Sequence, residues 1–136
     1  MSSPAEVVVA YLIAEGGGTT PTDNLDWPIY SNKLPTSPHN AMVVRDTEGT
    51  TDGRIHGTGE SIIHPGIQVT VRGETFPVGH AKIVDIAALL DAVRRDDHLG
   101  YRLQSANRGP IAPLATEEDT QRELFVVNAL LTIKEL

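Results

Sequence analysis

The chain has 136 residues, no cysteine, and a formal charge of −7 from 18 acidic and 11 basic residues. Disulfides and thiolate metal sites are excluded, and the acidic balance argues against a dedicated nucleic-acid binder, because tight phosphate binding needs a basic surface. The length suits one domain over residues 1–136, able to bury about two-thirds of its unfolded surface, and one Trp, three Tyr and two Phe give little for base stacking.

Ser3-Pro4-Ala5-Glu6 spells a capping box with proline at the first helical position. Ala5, Val8, Val9, Leu12 and Ile13 form the apolar stripe that follows, and Gly16-Gly17-Gly18 ends it. This helix is short and rich in β-branched residues, so it needs tertiary packing. It has no basic n-region and Glu6 interrupts it, so it is not read as a signal peptide. No apolar run reaches the roughly 20 residues of a membrane span, and no membrane partner is expected.

Thr19 to Asp26 reads as a polar turn, Trp27 to Leu34 as a strand or extended arm at a sheet edge because of Pro28, and Leu34 to Asn40 as a loop. Ala41 to Asp46 is a short strand. Thr47 to Glu60 holds four glycines in 14 residues; a connection of that length in a small chain is functional or disordered. It is read as a mobile loop or extended hairpin, with Arg54 to His56 at strand geometry.

The chain is organised around Pro65 to Arg95. Ile67, Val69 and Val71 alternate with Gln68, Thr70 and Arg72, which predicts a half-buried strand. Gly73 and Glu74 mark its exit, and Pro77 suits a first helical turn. Ile83, Ile86, Ala87, Leu90 and Val93 then recur at helical spacing. Arg94 and Arg95 are placed in the last helical turn, where positive charge suits the macrodipole. Leu99 to Ser105 reads as a strand and Asn107 to Ala115 as a loop. Arg122 to Leu136 reads as a long strand, apolar on both faces around Val126 to Leu131, central in a sheet or covered by a partner. The sum is an α+β fold: a mixed, mostly antiparallel sheet with two helices packed on one face, plus the long glycine-rich loop or hairpin.

No cluster names a reaction. The five histidines lack the i, i+4 spacing of a helical metal pair. His56 and His64 flank the glycine-rich loop and are the best metal candidates, though solvated loop histidines explain them more simply. Gly57-Thr58-Gly59-Glu60 lacks the Gly-Lys-Ser/Thr end of a phosphate loop, and there is no G-x-S-x-G elbow. Asp96-Asp97-His98 reads as a solvated helix terminus. Arg45, Arg54 and Arg72 are surface charges or inter-subunit partners for carboxylates. No catalytic residue, metal site or cofactor is expected.

The order of elements resembles a known family. A helix ending in glycines, AMVVRD running into a glycine-rich loop, PGIQVTVRG (Pro65 to Gly73) followed by the helix IVDIAALLDAV, and the ending LFVVNALLTIKEL are similar to the tail terminator and minor capsid (neck) proteins of tailed bacteriophages. The resemblance implies a non-enzymatic virion protein: a homohexameric ring that caps the tail tube and presents a surface to head-completion or connector proteins. DNA would pass through its bore without specific binding, and the ring would be assembled in the host cytoplasm. A head-closure or tail-completion protein at the same joint is the nearest alternative, and a small metal- or ligand-binding enzyme, or an adaptor, the more distant ones. A ring needs two complementary patches per subunit; the residues expected at such an interface are Arg45, Arg54, Ile55, His56, Arg72, Leu131 and Ile133.

Overall fold

A computed structural model describes residues 3–23, 26–36, 38–50, 62–117 and 121–136. Helix α1 spans Pro4–Ala14 and helix α2 Phe76–Asp91. The strands are β1 (Ile29–Ser31), β2 (Ala41–Thr50), β3 (Ile62–Gly73), β4 (Asp96–His98), β5 (Tyr101–Arg108), β6 (Ala112–Thr116) and β7 (Glu123–Glu135). They form one sheet in the order β1-β2-β3-β7-β5-β4, with β6 also paired to β7. Every pair is antiparallel except β1 with β2, so the expected mixed, mostly antiparallel α+β sheet is what the chain forms.

β3 and β7 make the centre, and their register explains why alternation was legible. Met42, Val71 and Phe125 align across three strands, as do Val44, Val69 and Val127. These side chains face the helices and are at most 1% exposed. The helices answer with Ala5, Val8 and Leu12 from α1 and Ile83, Ile86 and Leu90 from α2. Burial of this kind contributes roughly 1.5–3 kcal/mol per large aliphatic side chain.

α1 begins at the expected capping box: Ser3 Oγ accepts from Glu6 N–H at 3.3 Å, and Glu6 Oε1 accepts from Ser3 N–H at 3.2 Å. A second acceptor comes from the sheet. Asp46 Oδ1 takes the Ala5 N–H at 2.8 Å, while Asp46 exchanges two hydrogen bonds with the Asn32 carboxamide. Asp46→Ala removes a cap and the bond its carboxylate accepts from Asn32, leaving the backbone bond to Asn32 Oδ1, so it is expected to cost about 1–2 kcal/mol in urea unfolding; a change below about 0.3 kcal/mol would show that Ser3 alone holds this end. At the other end Gly16 takes a left-handed φ of 79°, and Tyr11 Oη donates to the Leu89 carbonyl at 2.6 Å, tying α1 to α2. Burial raises the Tyr11 pKa, with Asp96 adding to the shift. Lys82 of α2 stands 5.3 Å from the Trp27 ring centroid, and burial lowers its pKa.

Several local expectations change. α2 starts at Phe76 and ends at Asp91, so Arg94 and Arg95 lie beyond its last turn. Arg95, at a φ of 55°, is already in left-handed backbone that a helix cannot continue. Asp96-Asp97-His98 is an edge strand, paired to β5 through the two-residue turn Leu99-Gly100, where both φ values are positive. Trp27 to Leu34 yields only three strand residues, and they run parallel to β2. The segment Asn107 to Ala115, expected as a loop, continues the sheet: β5 and β6 lie end to end along one edge of β7, with register shifts at Leu103/Ser105 and Pro113/Ala115. β-bulges admit proline and glycine without breaking the ladder. β2 also runs on to Thr50, past its expected end at Asp46. Most of the glycine-rich connection, including Arg54, Ile55 and His56, lies outside the described residues.

Candidate assembly surface

The two helices cover one face of the sheet, and the other face is the candidate site. The register builds it row by row. Val43, Thr70 and Val126 form one row, Arg45, Gln68 and Asn128 the next, and Thr47, Gly66, Leu130 and Asn107 the third. Thr132 and His64 follow, with Thr132 Oγ1 3.2 Å from His64 Nδ1.

One end of this face is closed. Ala41, Val43, Thr70 and Arg72 are 0–3% exposed. The Arg72 guanidinium donates to the carbonyls of Pro35 (Nη1, 2.6 Å), Pro38 (Nη2) and His39 (Nε, 3.2 Å). Arg122 binds Glu117 at 2.6 Å and the Thr36 carbonyl at 2.6 Å. Two arginines thus fasten the segment before β2 over the sheet. Burial lowers the Arg72 pKa, and neighbouring Arg122 adds to it, while Glu117 opposes.

The middle of the face is open and polar without being acidic. Gln68 Nε2 donates to Asn128 Oδ1 at 3.2 Å. Gly66 supplies no side chain between Thr47 and Leu130, which leaves a depression of about 460 Å³ lined by Thr47, Gly66, Asn107, Gly109, Asn128 and Leu130. Leu130 is 42% exposed at its rim. Half-buried Arg45 reaches Thr70 Oγ1 at 3.4 Å, and among the described residues no carboxylate pairs with it. In the strands of this face the register places one described carboxylate, Asp97, and Arg102 occupies both its oxygens at 2.7 and 3.1 Å. That pairing lowers the Asp97 pKa and raises that of Arg102.

The residues singled out from sequence fall apart in space. Arg45 is on the open face. Arg72 shares that face but is locked into backbone carbonyls. Leu131 and Ile133 point into the helix-covered core, 1% and 2% exposed, and are consumed by the chain's own packing. Gln68, Asn107, Asn128 and Leu130 were not singled out; the signal available was Asn128 interrupting an otherwise apolar strand. A second exposed apolar group lies at the start of α2, where Phe76 (51% exposed) packs edge-on against Phe125 at 5.0 Å and stacks on His80 at 5.9 Å. Among the described residues no group of three or more histidine or carboxylate side chains could hold a metal ion, and no helix is long and apolar enough to cross a membrane.

Comparison with known proteins adds the family. The family described as "Bacteriophage tail terminator protein" matches residues 11–134. No curated protein matches the sequence. Among solved structures, a chain from the virion of a native gene transfer agent particle superposes with a TM-score of 0.54 at 11% identity, covering 78% of each chain. A second solved chain, 15% identical over 98% of this chain and 97% of its own, has a TM-score of 0.47 and carries no argument.

Proposed function

The chain belongs to the bacteriophage tail terminator family, and from that premise we propose that six copies close into a ring that caps the tail tube and joins it to the head. The family is one of tail proteins with a structural role in the virion. The ring reading rests on the family match, which runs from within α1 almost to the end of β7 and so takes in the whole sheet. The ring would contact the tube protein on one side and head-completion or connector proteins on the other. It would be assembled in the host cytoplasm, and it would perform no catalysis. DNA would cross the bore without being held, as suits a chain of net charge −7.

Subunit geometry supports a ring. One sheet with both helices on one side gives each copy two unlike faces, and unlike patches that meet head to tail close into a ring when the rotation allows. The test is the full chain mixed with purified tail tubes and, separately, with DNA-filled heads, followed by electron microscopy and native mass spectrometry. The expected result is a cap on tube ends and a species of roughly 88 kDa, six times 14.7 kDa. Binding to heads with none to tubes would reassign the chain to head closure.

A further inference from the structure

We propose that the open sheet face centred on Arg45 is one half of the contact between neighbouring copies of this chain, and that it receives a carboxylate from the next subunit's acidic surface. The inference rests on the ring reading above and assigns one of its two patches.

Three observations carry it. Arg45 is half-buried, yet among the described residues its side chain makes one hydrogen bond, the 3.4 Å contact to a neutral hydroxyl, at the long limit of useful geometry. A guanidinium is made for two parallel bonds to a carboxylate, and among the described residues no carboxylate fills the Arg45 fork. The amides of Gln68 and Asn128 lie in the same row and offer further donors. Beside them Leu130 and the depression over Gly66 supply an apolar seat. An arginine and two carboxamides in one row, next to a hollow rimmed by an exposed leucine, have the mixed composition of a protein interface.

Charge complementarity selects the occupant. The chain carries −7 overall, yet the one described carboxylate in the strands of this face is already bound by Arg102. Among the described residues the acidity therefore lies on other surfaces, such as exposed Asp85 on α2, Glu15 after α1 and Glu74 before α2. Two copies set sheet face to sheet face would offer Arg45, among the described strand residues, only Asp97, which Arg102 already occupies. A contact of this face with an acidic surface of the next copy is heterologous, the kind that closes rings. A DNA backbone is the poorer match: it needs a track of cations, and Arg72 and Arg102 on this face are already engaged.

The experiment is sedimentation velocity and native mass spectrometry of the full chain across protein concentrations at about 50 mM and 1 M salt. Wild type is compared with Arg45→Glu and Asn128→Asp, each first checked for an unchanged melting profile. Asn128 is exposed, and Asn128→Asp places a competing carboxylate in the same row as Arg45, across Gln68. Both variants are expected to weaken self-association at least tenfold at low salt, and 1 M salt to weaken wild type likewise. Variants that assemble as wild type does would overturn this proposal and leave the ring standing. A wild type that stays monomeric alone and on tube ends would remove the ring and this contact with it. Binding of a fluorescent 20-base-pair duplex by wild type, lost in Arg45→Glu, would assign the face to nucleic acid and overturn it too.

Discussion

Replacing Gly73 with alanine is expected to destabilise the fold by about 3 kcal/mol, at the upper end of the range for overpacking. Gly73 ends β3, and only Glu74 and Thr75 separate it from α2. A Cβ at Gly73 would lie 2.5 Å from both the nitrogen and the Cα of Gly79, and 3.1 Å from the Thr75 carbonyl oxygen. All three are backbone atoms at the start of α2, and no rotamer change relieves the clash; the helix must move off the sheet. Its buried face then loses contact with the core, since Ile83, Ile86 and Leu90 follow on the same rigid element. Gly79→Ala gives an internal comparison. Its Cβ meets the Phe125 ring at 2.7 and 3.0 Å, which a tilt of that ring relieves in part, and alanine recovers up to about 1 kcal/mol of helix propensity. The expected order in urea unfolding is therefore Gly73→Ala well below Gly79→Ala, with Gly79→Ala about 1 kcal/mol below wild type. A total stability of roughly 5–15 kcal/mol makes the larger loss easy to measure. A Gly73→Ala protein within about 0.5 kcal/mol of wild type would mean that the strand-to-helix junction is not the close contact described here.

That junction was visible in the residues because two periods meet there: alternation through Ile67, Val69 and Val71, then helical spacing from Ile83. The long last strand was visible for a similar reason. Its inward residues Phe125, Val127, Ala129, Leu131 and Ile133 alternate without a break. What the pattern could not convey was which apolar side chains stay inside the subunit. Leu131 and Ile133 were expected at an interface because both faces of the strand are rich in apolar residues, yet they belong to the face that the helices claim. β6 was hidden because Pro110 and Pro113 signal a loop, and its place in the sheet depends on shifts in pairing with β7 that only the partner strand defines. β4 was hidden because Asp96-Asp97-His98 has no strand composition; it is held by pairing to β5 and by the Asp97–Arg102 bridge. The start of α2 was marked by Pro77, which falls in its first turn as expected, while Gly79 and His80 obscure the helical period there; a Cβ at Gly79 would run into the Phe125 ring.

The candidate site was legible by residue type only. Arg45 and Arg72 alternate identically in their strands, and nothing in the sequence separates the arginine left open to a neighbour from the one that fastens a loop. The difference arises from backbone carbonyls, which no side-chain pattern encodes.

Arg72→Ala is accordingly expected to cost about 3–5 kcal/mol, the range for breaking a buried charged network. Among the described residues no carboxylate pairs with the guanidinium; its hydrogen bonds run to the carbonyls of Pro35, Pro38 and His39. Each charged hydrogen bond is worth roughly 1.5–3 kcal/mol, but the three act as a unit and do not add. Alanine also leaves a hole beneath the segment, and the carbonyls lose their donors. Arg72→Met separates these effects. It restores most of the volume and removes the charge that Arg122 repels, so only the lost hydrogen bonds remain, and about 2 kcal/mol is expected. Limited proteolysis reads the same event locally: in both variants the segment from Lys33 to Asn40 should become cleavable while the circular dichroism of the sheet persists. The consequence for assembly follows from geometry, because that segment closes one end of the face on which Arg45 stands. Its release would uncover Val43 and Thr70 beside the proposed contact, and ring formation should weaken even where the subunit remains folded. An Arg72→Met chain as stable and as protease-resistant as wild type would show that packing, and not the guanidinium, holds the segment down.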